Sequence, residues 1–179
     1  MLVLIKGAGD LATGAAVRLY RAGIPVVMTE VAQPTAVRRT VAFSQCMYDG
    51  AAQVEGISAR RAEDAGAARR ALERGEVPVL CDPAAAILGE LPFDGVVDAI
   101  LAKRNLGTAI TDAPVVLALG PGFTAGVDCH GVVETMRGHD LGRLLTRGSA
   151  VPNTGVPGDV GGYTTQRIIR APADGVFEP

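Results

Sequence analysis

The sequence predicts an α/β fold: a mostly parallel sheet with helices on both faces, followed by a smaller β-rich part. Three observations carry this expectation. Apolar runs of strand length recur, amphipathic segments of helix length separate the first of them, and glycine turns stand where one passes into the other. Strands covered on both faces read as unbroken apolar runs because neither face meets water. Leu2-Val3-Leu4-Ile5 is such a run and enters a glycine turn. Over residues 10–22, Leu11, Ala15, Leu19 and Ala22 recur at helical spacing, and Gly23 stands where a helix stops. Residues 25–30 supply a second strand, so the chain opens with a strand, helix, strand unit whose crossover is expected to be right-handed. Residues 62–74 predict another helix, with Glu63 and Asp64 in its first turn, arginines toward its end and Gly75 as its stop, the order the helix dipole favours. Three more strands are expected at Val77–Cys81, 96–102 and Val115–Leu119, with a short helical segment at 84–88.

After Leu119 the pattern changes. Segments 126–135 and 141–145 are short, glycine-bounded and partly alternating, which predicts antiparallel strands or a β-rich lobe rather than further strand–helix units. Residues 151–163 hold four glycines and two prolines and read as a linker. A strand is expected over 164–169, with a turn and the start of another strand after it. The expected organisation is therefore a nucleotide-binding domain over 1–125, a β-rich extension and linker over 126–163, and the beginning of a β module over 164–179.

The composition narrows the function. With 179 residues, 48% hydrophobic and 20% charged, the chain suits one globular domain and neither a disordered segment nor a coiled coil. A net charge of −2 without runs of like charge argues against nucleic-acid and membrane partners, leaving small molecules and proteins. The opening apolar run is too short for a signal peptide, so a cytoplasmic location is expected. Cys46, Cys81 and Cys129 are odd in number and widely spaced, which fits a reducing compartment and argues against disulfides and structural zinc. The absence of Trp and the 23 glycines favour sites made from backbone.

Gly7-Ala8-Gly9-Asp10-Leu11-Ala12 matches the G-x-G-x-x-G/A dinucleotide fingerprint, between a buried strand and a helix. Gly7 would allow the tight turn, Gly9 would let a pyrophosphate approach the backbone, and Ala12 with Gly14 would let the helix lie close to the sheet. Glu30 ends the next strand, where an acid accepts hydrogen bonds from a ribose 2′-hydroxyl. The expected fold is thus Rossmann-like. A tight turn with a surface Glu is the plain alternative, and the four features together argue against it. Asp10 conflicts with a bound pyrophosphate, so it is read first as a helix cap facing away from ligand, or else as a group needing Mg²⁺ or another ligand pose. Loops after parallel strands gather at one edge, which brings Lys103, Arg104 and Asn105 forward as a clamp for a phosphate or carboxylate, against a solvated turn. Gly120 and Gly122 either expose amides to an anion or simply turn the chain. Cys81 at a strand end is either a reactive thiol or, the favoured reading, a small inert buried one; the adjacent Cys129 and His130 are read as facing opposite sides, and His139 as a solvated loop residue rather than a loop acid/base.

These segments, Ile5 to Gly14, Met28 to Pro34, Arg38 to Phe43, Ala102 to Thr108 and Leu119 to Gly126, together resemble the accessory proteins of selenium-dependent molybdenum hydroxylases. The resemblance implies a Rossmann-type protein associated with maturation of xanthine-dehydrogenase-like enzymes, with a molybdenum hydroxylase as protein partner. It also implies that the chain continues into a biotinyl/lipoyl-like β module, whose first strands Arg170-Ala171-Pro172-Ala173-Asp174-Gly175-Val176 resembles. The cofactor is then either NAD(P) or molybdopterin dinucleotide, since each offers a pyrophosphate to Gly9 and a ribose to Glu30. An NAD(P)-dependent oxidoreductase and a non-catalytic assembly scaffold remain as alternatives, and self-association into a homo-oligomer is open.

Overall fold

The structure is a computed structural model and describes residues 1–169 and 171–175. Among them nine strands form one sheet: β1 (Val3–Lys6), β2 (Val26–Glu30), β3 (Ala51–Val54), β4 (Ile57–Ala62), β5 (Val77–Cys81), β6 (Gly95–Asp98), β7 (Val115–Leu119), β8 (Gly131–Val133) and β9 (Leu144–Leu145). Their order is β3-β4-β5-β2-β1-β6-β7-β8-β9, parallel throughout except for the outermost pairs β3–β4 and β8–β9. The expected α/β architecture is therefore present. Three α-helices join it: α1 (Asp10–Arg21), α2 (Cys46–Asp49) and α3 (Ala65–Glu73).

The sheet divides the core by the two-residue alternation of strand side chains. Val3, Ile5, Val26, Met28, Val77 and Val79 face α1 and the 43–47 segment, whereas Leu4, Val27, Leu80, Val96, Val116 and Val132 face α3 and the turn at Ala86–Gly89. Helices thus cover both faces. The buried stripe of α1 is Ala12, Thr13, Ala16 and Val17, one step away from the expected Leu11, Ala15, Leu19 and Ala22. Small residues win that face because they let the helix axis approach the sheet. Gly14 lies on the outer side, where a Cβ would meet nothing within 4 Å, so it plays no part in that approach.

Helix α3 starts three residues later than expected, because Asp64 caps it by accepting from the Ala67 amide at 2.6 Å. Of the residues expected before it, Ala62 ends β4, and Glu63 and Asp64 bend the chain from strand into helix. The β3–β4 hairpin turns on Glu55 and Gly56, both at positive φ (50° and 80°), as a two-residue turn matching strand twist demands. β6 ends at Asp98, short of the expected 102.

Two expectations about the second half are corrected. Segment 126–145 is no separate lobe: β8 pairs in parallel with β7, only β8–β9 is antiparallel, and Phe123, Ala125, Cys129, Val132 and Ala150 share the core of the main sheet. The strands on either side of residue 125 thus belong to one sheet. Residues 164–169 contain a 3₁₀ turn (Thr165–Arg167) in place of a strand. This segment bonds locally, Arg167 N–H donating to the Thr164 carbonyl at 3.2 Å and Ile168 N–H to the Thr165 carbonyl at 3.1 Å. Arg170 and the expected strand at 176–179 lie outside the described residues. Among the described residues no helix is long and apolar enough to cross a membrane.

Candidate functional site

At β1 the strand order reverses, with β2 and β5 on one side and β6 and β7 on the other. Open parallel sheets part their loops at such a point and leave a crevice beyond the carboxyl ends of the strands. Here the crevice has a volume of about 410 Å³ and is lined by Gly7, Gly9, Asp10, Leu11, Ala12 and Glu30 from the β1–α1–β2 unit, with Ala99, Ile100 and Leu101 from the end of β6.

Two glycines shape it for different reasons. Gly7 has φ 92°, and a Cβ there would stand 3.0 Å from the Ala99 carbonyl oxygen, so only glycine lets the loop after β6 pass. Gly9 has φ −64° and ψ −178°, a conformation open to any residue, and a Cβ on it would meet nothing within 4 Å. Its missing side chain leaves space in the cleft rather than relieving a contact. Gly9 is also the N-cap of α1 and supplies no side-chain cap; among the described residues the amides of Gly9 and Asp10 make no hydrogen bond. Uncapped amides at a helix start favour an anion.

Glu30 fastens the turn. Its Oε2 accepts from the Ala8 amide at 3.0 Å and its Oε1 from the Val31 amide at 2.8 Å. A carboxylate offers about four lone-pair sites, so two remain for a ligand hydroxyl. Behind the turn the Ala8 carbonyl accepts from Ser44 N–H and the Thr13 hydroxyl, and the buried Thr13 Oγ1 also accepts from Phe43 N–H at 2.9 Å.

Asp10 does not face away from the cleft. It is the first residue of α1, its Oδ1 accepts from the Leu11 amide at 2.9 Å, and its Oδ2 is ion-paired with Arg38. The guanidinium offsets the charge that made Asp10 conflict with a phosphate. Sequence reasoning missed Arg38, since nothing local ties it to a residue 28 positions earlier.

Lys103 is exposed and lines an adjoining cleft of about 440 Å³ that shares Leu11 and Leu101 with the first; Arg104 is exposed and lines neither. Asn105 builds its loop, its Oδ1 accepting from the Gly107 and Thr108 amides and its Nδ2 donating to the Thr108 carbonyl. Gly122 is required by packing, because a Cβ there would stand 2.5 Å from the Arg104 nitrogen, and one at Gly120 would stand 2.8 Å from Thr135 Oγ1. Of the expected clamp, then, Lys103 reaches a cleft, while Asn105, Gly120 and Gly122 shape the wall that carries it.

Sequence reasoning also missed a buried polar chain under the switch point. Lys6 Nζ donates to Thr108 Oγ1 at 2.6 Å, and that hydroxyl donates to Asp98 Oδ2 at 2.6 Å. Lys6 and Asp98 are register partners on β1 and β6, opposite charges in two otherwise apolar strands. Cys81 is exposed at the end of β5, correcting its reading as a buried thiol, while Cys46 and Cys129 are buried. Burial pushes the Cys46 thiol up to about 12. His130 is occupied structurally, its Nδ1 accepting from the Val116 amide at 3.0 Å.

The chain is 57% identical over 176 residues to the uncharacterized protein YqeB of Escherichia coli strain K12. The aligned stretch covers 98% of this chain and 32% of YqeB, so the chain spans about a third of that relative's length. No family model matches the chain. No solved structure matches it.

Proposed function

We propose that this chain binds a dinucleotide, with its pyrophosphate over Gly9 and a ribose at Glu30, and that it acts as an accessory protein in the maturation of selenium-dependent molybdenum hydroxylases. The observation that carries the binding half is the open space at Gly9, beside uncapped α1 amides and within reach of the Glu30 carboxylate. NAD and molybdopterin dinucleotide both satisfy that pattern. A 2′-phosphate would meet the charge of Glu30, so NAD is favoured over NADP. The pathway half is supported by the five motif segments taken together, from Ile5-Lys6-Gly7 to Thr124-Ala125-Gly126.

Calorimetry with NAD and NADP tests the binding half. Gly9→Val should abolish NAD binding with little change in thermal midpoint, because the new side chain enters empty space. Unchanged affinity in that variant places the site elsewhere, and tighter NADP than NAD binding removes the role given to Glu30. For the pathway, deletion of the gene should lower molybdenum hydroxylase activity in the host, restored by the wild-type chain and not by Gly9→Val. Full activity in the deletion strain rejects it.

A further inference from the structure

The second cleft differs from the first in its charge. The first contains the carboxylates Asp10 and Glu30. The second has Lys103 and Arg137 and no Asp or Glu in its lining among the described residues. Neither cation makes a hydrogen bond or ion pair among the described residues, whereas Arg38, Arg60, Arg61, Arg74 and Arg143 are all paired with acids. The carboxylates next to this lining in sequence are engaged elsewhere: Asp10 is paired with Arg38, Asp140 with Arg143, Asp159 accepts from the Gly162 amide at 3.0 Å, and the buried Glu134 is held by the amides of Met136 and Val151, each at 2.8 Å.

The wall that presents Lys103 is over-determined. Leu101 and Lys103 both adopt left-handed backbone, at φ 59° and 61°, which residues with a side chain seldom accept without outside constraint. That constraint is visible. The Asn105 side chain ties the loop to Gly107 and Thr108, Thr108 is bonded to Lys6 and Asp98 beneath it, and the Lys103–Arg104 backbone rests on Gly122 with no room for a Cβ between them. Strain held in place by several independent contacts is characteristic of ligand-holding loops. Leu11 and Leu101, shared by both clefts, make the boundary between them apolar.

We infer that the second cleft binds a small organic anion, a phosphate or carboxylate carried on an apolar body, whose acidic group is held by Lys103 and Arg137 while its body lies against Leu11, Leu101 and Pro121. The inference rests on the reading of the first cleft as the nucleotide site, and sets this anion beside the nucleotide as a second ligand. Thr135, Asn153 and Thr154 add neutral hydrogen-bonding groups to the same lining, which suits an anion with further polar substituents.

The test uses phenyl phosphate and benzoate as anionic probes, phenol as the neutral control and ADP-ribose as the probe of the first cleft, all measured on the full chain by ligand-detected NMR. At least one anionic probe should bind, more tightly than phenol, and more weakly as salt is raised. Lys103→Ala and Arg137→Ala should each weaken it by about tenfold or more, the loss of a charge-assisted contact. Lys103→Arg should retain most of the affinity, and ADP-ribose binding should be unchanged in every variant. Phenol binding as tightly as both anions, wild-type affinity in both alanine variants, or no anion binding at millimolar concentration would each overturn the inference. Loss of ADP-ribose binding in the wild type with anion binding intact would instead reject the nucleotide reading alone. Which of phenyl phosphate and benzoate binds more tightly distinguishes a phosphate ligand from a carboxylate.

Discussion

Lys6 is one of two lysines in the chain, and it is buried at 4% exposure at the carboxyl end of β1. An ammonium in that position is tolerated only when its hydrogen bonds and charge are answered. Thr108 gives the hydrogen bond and Asp98, 1% exposed, gives the charge through the hydroxyl between them. Thr108→Val keeps the shape and removes the bridge, leaving two buried ions without a shared partner. Its expected cost is about 2–4 kcal/mol in urea unfolding, the range for breaking a buried polar pair. A loss below about 1 kcal/mol would mean that water replaces the hydroxyl. The cysteines give a separate check at the same level. Cys46 and Cys129 are fully buried and burial raises both thiols, whereas Cys81 is exposed. Alkylation of the native protein with iodoacetamide should therefore label Cys81 alone, and labelling of Cys46 before unfolding would contradict the packing of the 43–47 segment.

The strands that meet at the switch point were legible because each is an apolar run bounded by glycine or proline, a pattern that survives without knowledge of neighbours. The β3–β4 hairpin was not, since Ala51-Ala52-Gln53 is small and polar at a sheet edge and Glu55-Gly56 is a weaker turn signal than Asn-Gly. β8 was misread because it joins β7 in parallel without an intervening helix. At the site, Gly7, Gly9 and Glu30 could be placed from spacing alone. Arg38, Arg137 and Thr108 could not, because their partners are set by tertiary contact. Two glutamates show how such contacts tie elements together. Glu76 pairs with Arg60 of β4 and Arg74 at the end of α3, and the Arg60 guanidinium above all holds its carboxyl below the usual carboxylate range. Glu134 is likewise lowered, first by the Val151 amide and then by those of Met136 and Thr135. A folded-state pKa below the unfolded value of about 4.3 means that the unfolded chain takes up protons first as pH falls. The stabilisation is complete above that value and disappears as pH drops through the folded values. The urea midpoint should fall steeply below about pH 4.5 in the wild type, and less steeply in Glu76→Gln and Glu134→Gln. Identical profiles in all three proteins would show that neither contact contributes.

Considered as one body, the described chain has two unequal parts: a sheet with its core reaching from β1 to Ala150, and a stretch from Val151 onward that is exposed except at a few positions. The join between them is specific, because Glu134 accepts the Val151 amide and thereby fixes where the chain leaves the sheet. Beyond it, Val151, Pro152, Asn153 and Thr154 still line the second cleft, so this stretch has a place in the site although it adds little to the core. Past Tyr163 that is no longer so. Ile168 and Ile169 are exposed, Ile169 almost completely, and among the described residues a hydrogen bond from Arg167 to the Gly158 carbonyl ties this stretch to the preceding loop. Apolar side chains left in water contribute no burial energy, at roughly 25 cal/mol per Å² of area that stays exposed. A chain ending at Tyr163 should therefore keep its thermal midpoint to within a degree or two, and keep its affinity for NAD and for the anionic probe of the second cleft. A second variant, Glu134→Ala in the full chain, separates the two parts: it should weaken the anionic probe by displacing 151–154 while leaving NAD binding intact. If the shortened chain loses its cooperative transition, the segment after Tyr163 belongs to the folding unit and the division drawn at Val151 is wrong.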